Sequence, residues 1–226
     1  VLARVAEYIV EDGDDSNWVK CLAVYPKTEL LKDQFAEIFR EARRLDSFLG
    51  DAQRKIRVGA FFGPVPINGE MLRRYRNEGW QEKPQGFLCK YIACPSDECN
   101  GDLLWSNEDL DNKVERLTCN SCGAILSDDQ IILTRNGLTK KKPDILFTTT
   151  EMINQRLSDD EFRTLFGLGL GKGKRTGILL LDEVHSYTGL HGAQVAYLLR
   201  RWRNLLKSSV TFVGLSATLL DGKKFF

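Results

Sequence analysis

The chain has 226 residues, 42% of them apolar, and its 32 Lys and Arg against 31 Asp and Glu leave a net charge of +1. That is enough apolar material for one large domain, or one domain with an insertion. The balanced charge excludes a globally basic nucleic-acid binder, so any such contact must come from a local patch. No apolar run approaches the roughly 20 residues that span a bilayer, which argues against a membrane partner. The opening Val1-Leu2-Ala3-Arg4-Val5-Ala6-Glu7 has no basic signal region. Without an export signal, six unevenly clustered cysteines point to a reducing compartment. The first residue is not Met and Lys223-Lys224-Phe225-Phe226 stop in mid-pattern, so the chain is expected to be a piece of a longer protein.

Val1, Leu2, Val5, Ala6, Ile9 and Val10 have helical spacing and predict an opening helix. A polar loop leads to Val19–Tyr25, a buried strand stopped by Pro26. Thr28 is placed as the N-cap of a helix running to about Leu49, with Glu29 in its first turn. Such a short strand-to-helix loop presents free N–H groups suited to phosphate. Ile56–Phe62 is a second strand, closed by the rigid loop Gly63-Pro64-Val65-Pro66. Residues 68–88 are polar and weakly patterned and are expected to be a loop or a short helix.

Pro143–Thr150 is a further strand running into a helix that opens with Thr150 and Glu151. A glycine-rich connector, Gly167–Gly177, precedes the apolar run Ile178-Leu179-Leu180-Leu181, which ends abruptly at Asp182 and Glu183. After a bend at Gly189, a helix is expected from about Ala193 to Lys207. Its apolar face is Val195, Leu198, Leu199, Trp202, Leu205 and Leu206, and Arg200, Arg201 and Arg203 form a solvated face. Val210–Leu215 is the last strand and runs into Ser216-Ala217-Thr218. Strands alternating with helices predict an α/β fold, a parallel sheet wound on both faces.

Five of the six cysteines lie between positions 89 and 122. Cys94-x4-Cys99 and Cys119-x2-Cys122 approximate the two knuckles of a zinc ribbon, with a hairpin between them. Soft thiolates in two close pairs suit tetrahedral Zn²⁺; core thiols and disulfides are the alternatives. Cys89 is a possible substitute ligand, and Cys21 is placed in the core.

Ligands of open parallel sheets bind at the carboxyl ends of the strands. Four strand ends here carry polar groups: Pro26-Lys27-Thr28, Thr148-Thr149-Thr150, Asp182-Glu183 with His185, and Ser216-Ala217-Thr218. A carboxylate in such a place can hold phosphate-bound Mg²⁺. Taken singly, these are more often solvated turns and helix caps. Together on one edge they point to a shared site.

Asp182-Glu183-Val184-His185 resembles the DExH box of a superfamily-two helicase, and Ser216-Ala217-Thr218 the Ser-Ala-Thr motif that follows it. Tyr25–Gln34 is similar to the first strand-contacting motif of that family, and Pro143–Met152 to the second. The run Asp182–Gly192 with Val195–Arg201 resembles the MrfA-like branch of DNA-repair helicases and the large helicases of anti-phage systems such as Druantia and DISARM. Glu29-Leu30-Leu31-Lys32-Asp33-Gln34 leans towards the defence group. The resemblance implies the first RecA-like domain of an ATP-dependent DNA translocase or helicase, in two parts (1–88 and 136–226) around a cysteine-rich zinc-binding insert (89–135). It implies ATP and Mg²⁺ as cofactors and a single strand or fork of DNA as partner, with RNA less favoured. It also implies defence-system proteins as possible partners and a bacterial cytoplasm.

By position, Asp182 would hold Mg²⁺ and Glu183 would orient or deprotonate the attacking water. His185, Ser216 and Thr218 would link the nucleotide state to domain movement. Pro26, Lys27, Thr28, Thr149 and Thr150 would lie along a strand backbone. There are departures. The family's phosphate loop is missing and is expected upstream of Val1. Gly167–Arg175 lacks the spacing, the hydroxyl and the preceding strand to replace it. Lys27-Thr28 reverses the commoner Thr-Lys order. The second motor domain with its arginine finger is absent, so this piece alone is expected not to turn over ATP. The alternative is a non-catalytic module that uses the motor fold and the insert as a scaffold for binding nucleic acid or protein.

Overall fold

The computed structural model describes residues 1–12, 17–49, 54–75, 77–171 and 173–216. In chain order the elements begin with α1 (Leu2–Asp12), β1 (Cys21–Tyr25), α2 (Thr28–Leu49), β2 (Val58–Phe61) and α3 (Gly69–Arg74). Then come β3 (Trp80–Lys83), β4 (Gly86–Cys89), β5 (Leu103–Ser106), α4 (Asn107–Asp111), β6 (Arg116–Cys119) and β7 (Ile125–Ser127). The last part holds β8 (Ile131–Ile132), α5 (Arg135–Lys140), β9 (Ile145–Thr149), α6 (Thr150–Arg156), β10 (Ile178–Leu181), α7 (Gly189–Leu206) and β11 (Thr211–Gly214).

Six strands form one parallel sheet in the order β11-β10-β1-β9-β2-β8. The central strands β1 and β10 are apolar and buried at every position, because helices cover both faces. Val5, Ile9, Phe35 and Phe39 of α1 and α2 pack on one face. Val195, Leu198, Trp202 and Leu206 of α7 pack on the other, with Phe166. Helix α7 starts at Gly189, earlier than its apolar periodicity indicates. Leu205, expected on its buried face, is 50% exposed. No helix among the described residues is long and apolar enough to cross a membrane.

A second sheet, antiparallel and ordered β3-β4-β5-β6-β7, is spliced between β2 and β8. It begins at Trp80, inside the stretch expected as loop or short helix. The signal is weak there because β3 is an edge strand with only Trp80 buried. Residues 131 and 132, inside the span read as insert, instead pair with Val58 and Gly59 at the margin of the parallel sheet. Tyr91 joins the two sheets: its ring lies edge-on to Phe35 of α2 at 5.9 Å, to Phe62 at 5.8 Å and to Trp80 at 5.7 Å.

At the amino edge of the parallel sheet, Lys20 Nζ lies 2.9 Å from Asp144 Oδ1, and both side chains are fully buried. Arg54 grips the same carboxylate with two bonds of 2.7 and 2.8 Å, and the Arg57 N–H adds a third. Burial pushes the Asp144 carboxyl up, but the Arg54 bonds and the Lys20 charge outweigh it and hold it below its usual range. The glycine-rich connector reaches this same edge. Gly167 has φ +76° and leaves no room for a side chain: a Cβ would lie 2.7 Å from Thr176 Oγ1. Arg175 Nη1 donates to the carbonyls of Leu206 and Lys207 and closes the end of α7. The two ends of the connector are therefore packed, at the end of the sheet opposite to the polar strand ends.

Candidate functional site

The parallel register aligns the carboxyl ends of the strands. Leu181 pairs with Val24 and with Gly214, Val24 with Thr148, and Thr148 with Phe61. The residues that follow these positions share one edge: Asp182, Pro26 to Thr28, Thr149 with Thr150, and Ser216. Ala217 and Thr218 lie outside the described residues. The sheet thus brings together three of the four polar strand ends in full and the serine of the fourth.

After β10 the chain makes one turn of 3₁₀ helix, Val184–Ser186. Glu183, just before it, has φ 50° and ψ 43°, a left-handed conformation. For a residue with a Cβ this costs about 1–2 kcal/mol. Two bonds hold it: the Glu183 N–H donates to Asp182 Oδ1 at 2.9 Å, and the Val184 N–H to the Leu215 carbonyl at 3.0 Å. The turn is thereby fixed against the end of β11. His185 Nδ1 then lies 3.0 Å from Ser216 Oγ and 3.1 Å from Glu183 Oε2. Asp182 is buried at the sheet edge, Glu183 is half-buried and His185 is exposed.

Two tyrosines that the sequence pattern did not single out flank the carboxylate. Tyr25, at the end of β1, and Tyr187, after the 3₁₀ turn, are both buried. Burial first, and the charge of Asp182 second, raise both phenols above their ordinary range. The Tyr187 hydroxyl has no hydrogen-bond partner among the described residues. Tyr187 stands close enough to the DExH run for adjacency to have pointed to it. Tyr25 simply looks like the end of a strand.

On the neighbouring strand ends, Thr148 turns inward and donates to the Phe61 carbonyl at 2.8 Å. Thr149 caps α6 by accepting from the Met152 N–H, which leaves its own O–H able to donate outward. Thr150 is buried, Lys27 is exposed, and Pro26 and Thr28 are half-buried. Asp144, part of the run that resembles the second strand-contacting motif, lies at the opposite edge, in the ion network already described.

In the antiparallel sheet the sulfurs of Cys94, Cys99, Cys119 and Cys122 all lie within 4.8 Å of one another. Cys94 and Cys122 are 3.5 Å apart, and Cys99 and Cys119 are 3.7 Å apart. Four thiolates around zinc at about 2.3 Å would stand roughly 3.8 Å apart, so the set fits a tetrahedral ion. Backbone N–H groups of Gly101 and Ser121 point at the Cys99 and Cys119 sulfurs. A side chain at Gly101 would strike Cys119 Sγ at 2.4 Å. Hydrogen bonding from the Ala124 N–H, then from Ser96 and the neighbouring thiols, brings Cys122 down to about 6. Cys89 is outside the cluster: it faces Trp80 across the β3–β4 hairpin, and burial pushes its thiol up to about 12. Cys21 is buried in β1.

The sequence pattern of the DEAD/DEAH box helicases matches residues 107–224, just over half of the chain. An ATP-dependent helicase of Methanocaldococcus jannaschii is 33% identical over 104 residues, 45% of this chain and 14% of that protein. The Druantia protein DruE of Escherichia coli is 26% identical over 251 residues, covering 91% of this chain and 13% of its own length. Among solved structures, the helicase MrfA bound to DNA and AMPPNP superposes on 98% of this chain and 20% of its own, with a TM-score of 0.51 at 17% identity. That likeness gives the parallel sheet its RecA-like assignment. The chain spans only about one seventh of the curated relatives it matches. On the family pattern and the sheet together, the chain belongs to the DEAD/DEAH box helicases.

Proposed function

We propose that the protein containing this chain is an ATP-dependent DNA translocase or helicase in bacterial anti-phage defence or DNA repair, and that the described edge is half of its motor site. The observation that carries this reading is the alignment of Asp182, Glu183, His185 and Ser216 with the Thr149 and Pro26–Thr28 strand ends on one edge. The likeness to DruE favours defence, and the MrfA complex with DNA and AMPPNP favours a DNA track.

In this reading Asp182, buried and bonded by the Glu183 N–H, would hold Mg²⁺, which would supply charge neutralisation for the phosphates. Glu183 orients or deprotonates the attacking water. His185 and Ser216, with Thr218 after them, pass the state of the nucleotide to the movement of the domains. Lys27, Thr28, Thr149 and Thr150 hold a strand backbone without reading its sequence, and Pro26 shapes the loop. The four cysteines hold a structural Zn²⁺ that keeps the insert rigid.

The test is Glu183→Gln in the full-length protein, with a loss of DNA-stimulated ATP hydrolysis of about 100-fold or more expected. Intact hydrolysis would mean that the fold serves as a binding scaffold. Stronger stimulation by single-stranded RNA than by single-stranded DNA would replace the DNA track.

A further inference from the structure

We propose that the groove between α6 and α7 is a second seat for the nucleic-acid strand, where a base stacks on Tyr197. This rests on the motor reading of the sheet edge and extends its strand path. The groove holds about 420 Å³. Thr150 and Asn154 line it from α6, and His191, Gln194, Tyr197 and Arg201 from α7. Spacings of three and four residues place these α7 groups on one stripe of the helix.

Tyr197 is the feature that asks for a partner. It is 72% exposed on a helix whose inward face already buries Val195, Leu198, Trp202 and Leu206. No packing role within the fold requires an aromatic ring there. A phenol ring presents a face to any base, and stacking of this kind is indifferent to sequence. The groups around it suit the same ligand. Arg201 reaches across the groove and donates to Ser158 Oγ at 2.7 Å, so its cationic head is fixed in place. Asn154 and Gln194 offer amides, and His191 a ring nitrogen.

Charge points the same way. The eighteen residues of α7 contain no Asp or Glu, and of its three arginines Arg201 lines this groove while Arg200 and Arg203 line a different cleft beside Phe212. The carboxylate that does face the groove, Glu151, is held by the Gln155 amide at 3.0 Å. The groove is also continuous with the strand edge. Its upper end is Thr150, the first residue of α6 and the neighbour of the cap Thr149. A strand lying over Thr149 therefore has the groove beside it. Backbone contacts on the edge and one stacked base beside it are the two parts of a sequence-independent single-strand site.

The experiment uses the full-length protein and an iodouracil-substituted single-stranded oligonucleotide. Ultraviolet crosslinking followed by peptide mapping is expected to mark Tyr197. Tyr197→Ala is expected to weaken oligonucleotide binding roughly tenfold and to raise the DNA concentration needed for half-maximal ATP hydrolysis. Tyr197→Trp, which keeps a stacking face, is expected to restore both. If Tyr197→Ala binds like the unaltered protein, or crosslinks fall only on the sheet edge, while DNA still stimulates hydrolysis, the groove is wrong and the motor reading survives. If Tyr197 resists tyrosine-specific modification before DNA is added, a protein segment covers the groove and the proposal falls. If DNA fails to stimulate the unaltered protein, the motor reading itself falls.

Discussion

His185 Nδ1 stands 3.0 Å from Ser216 Oγ, and it also stands 3.1 Å from Glu183 Oε2. A carboxylate only accepts, so the contact with Glu183 requires a proton on Nδ1. That single N–H then has two acceptors in reach. Favouring one loosens the other, so under the proposed function a change at Glu183 is expected to reach Ser216 through His185. His185→Ala in the full-length protein should lower strand displacement more than ATP hydrolysis. Ser216→Ala should act in the same direction. The double variant should fall short of additivity, with an interaction energy of roughly 0.5–3 kcal/mol. Parallel assays of hydrolysis and strand displacement on the four proteins measure it; strict additivity would deny the link.

Glu183 sits in a conformation that suits glycine. Glu183→Gly should therefore abolish DNA-stimulated hydrolysis while raising the melting temperature by roughly 2–4 °C, since relief of about 1 kcal/mol is spread over a chain of this size. Calorimetry and a hydrolysis assay on the same preparation check both halves. A lower melting temperature would show that the Glu183 side chain supports the fold.

Asp144 holds two cations at the amino edge, one of them fully buried. Asp144→Asn takes the carboxylate away from the buried Lys20 ammonium, so stability should drop by about 3–5 kcal/mol. The pH dependence follows from the lowered carboxyl. Its stabilising effect is complete above the unfolded value of about 3.9 and is lost as pH falls through the lower folded value. Urea midpoints taken from neutral pH down into this acidic range should decline in the unaltered protein and much less in Asp144→Asn.

The cysteine cluster gives a prediction independent of the motor. Purified protein should carry one zinc by elemental analysis, and Cys119→Ser should lose it. Because Trp80, Tyr91 and Trp105 share one buried core with Cys94 and Cys119, chelation should alter tryptophan fluorescence. Protein free of zinc, or Cys119→Ser with full zinc content, would overturn the assignment.

Much of this was legible in the residues because the informative stretches are short and local. Ile178-Leu179-Leu180-Leu181 could only be a doubly covered strand, and its two carboxylates could only fall at its end. The pairing of Cys94 and Cys99 with Cys119 and Cys122 followed from spacing. Hidden features depended on the third dimension. The β3–β4 hairpin escaped notice because an edge strand buries too little to alternate. Ile131-Ile132 is too short to announce a strand and gains its identity from Val58 and Gly59 alongside. The Lys20–Asp144–Arg54 network joins positions far apart in the chain, and no periodicity marks it. Nor does sequence reveal the left-handed backbone of Glu183, which carries no glycine to advertise it.

Tyr91 was described as the ring that touches α2, the end of β2 and the antiparallel sheet at once. Its consequence is mechanical. One continuous core on both sides of that ring ties the insert to the parallel sheet. If the motor reading holds, a rotation of the domain would be largest at the far tip of the insert, and a fluorophore placed there would report it.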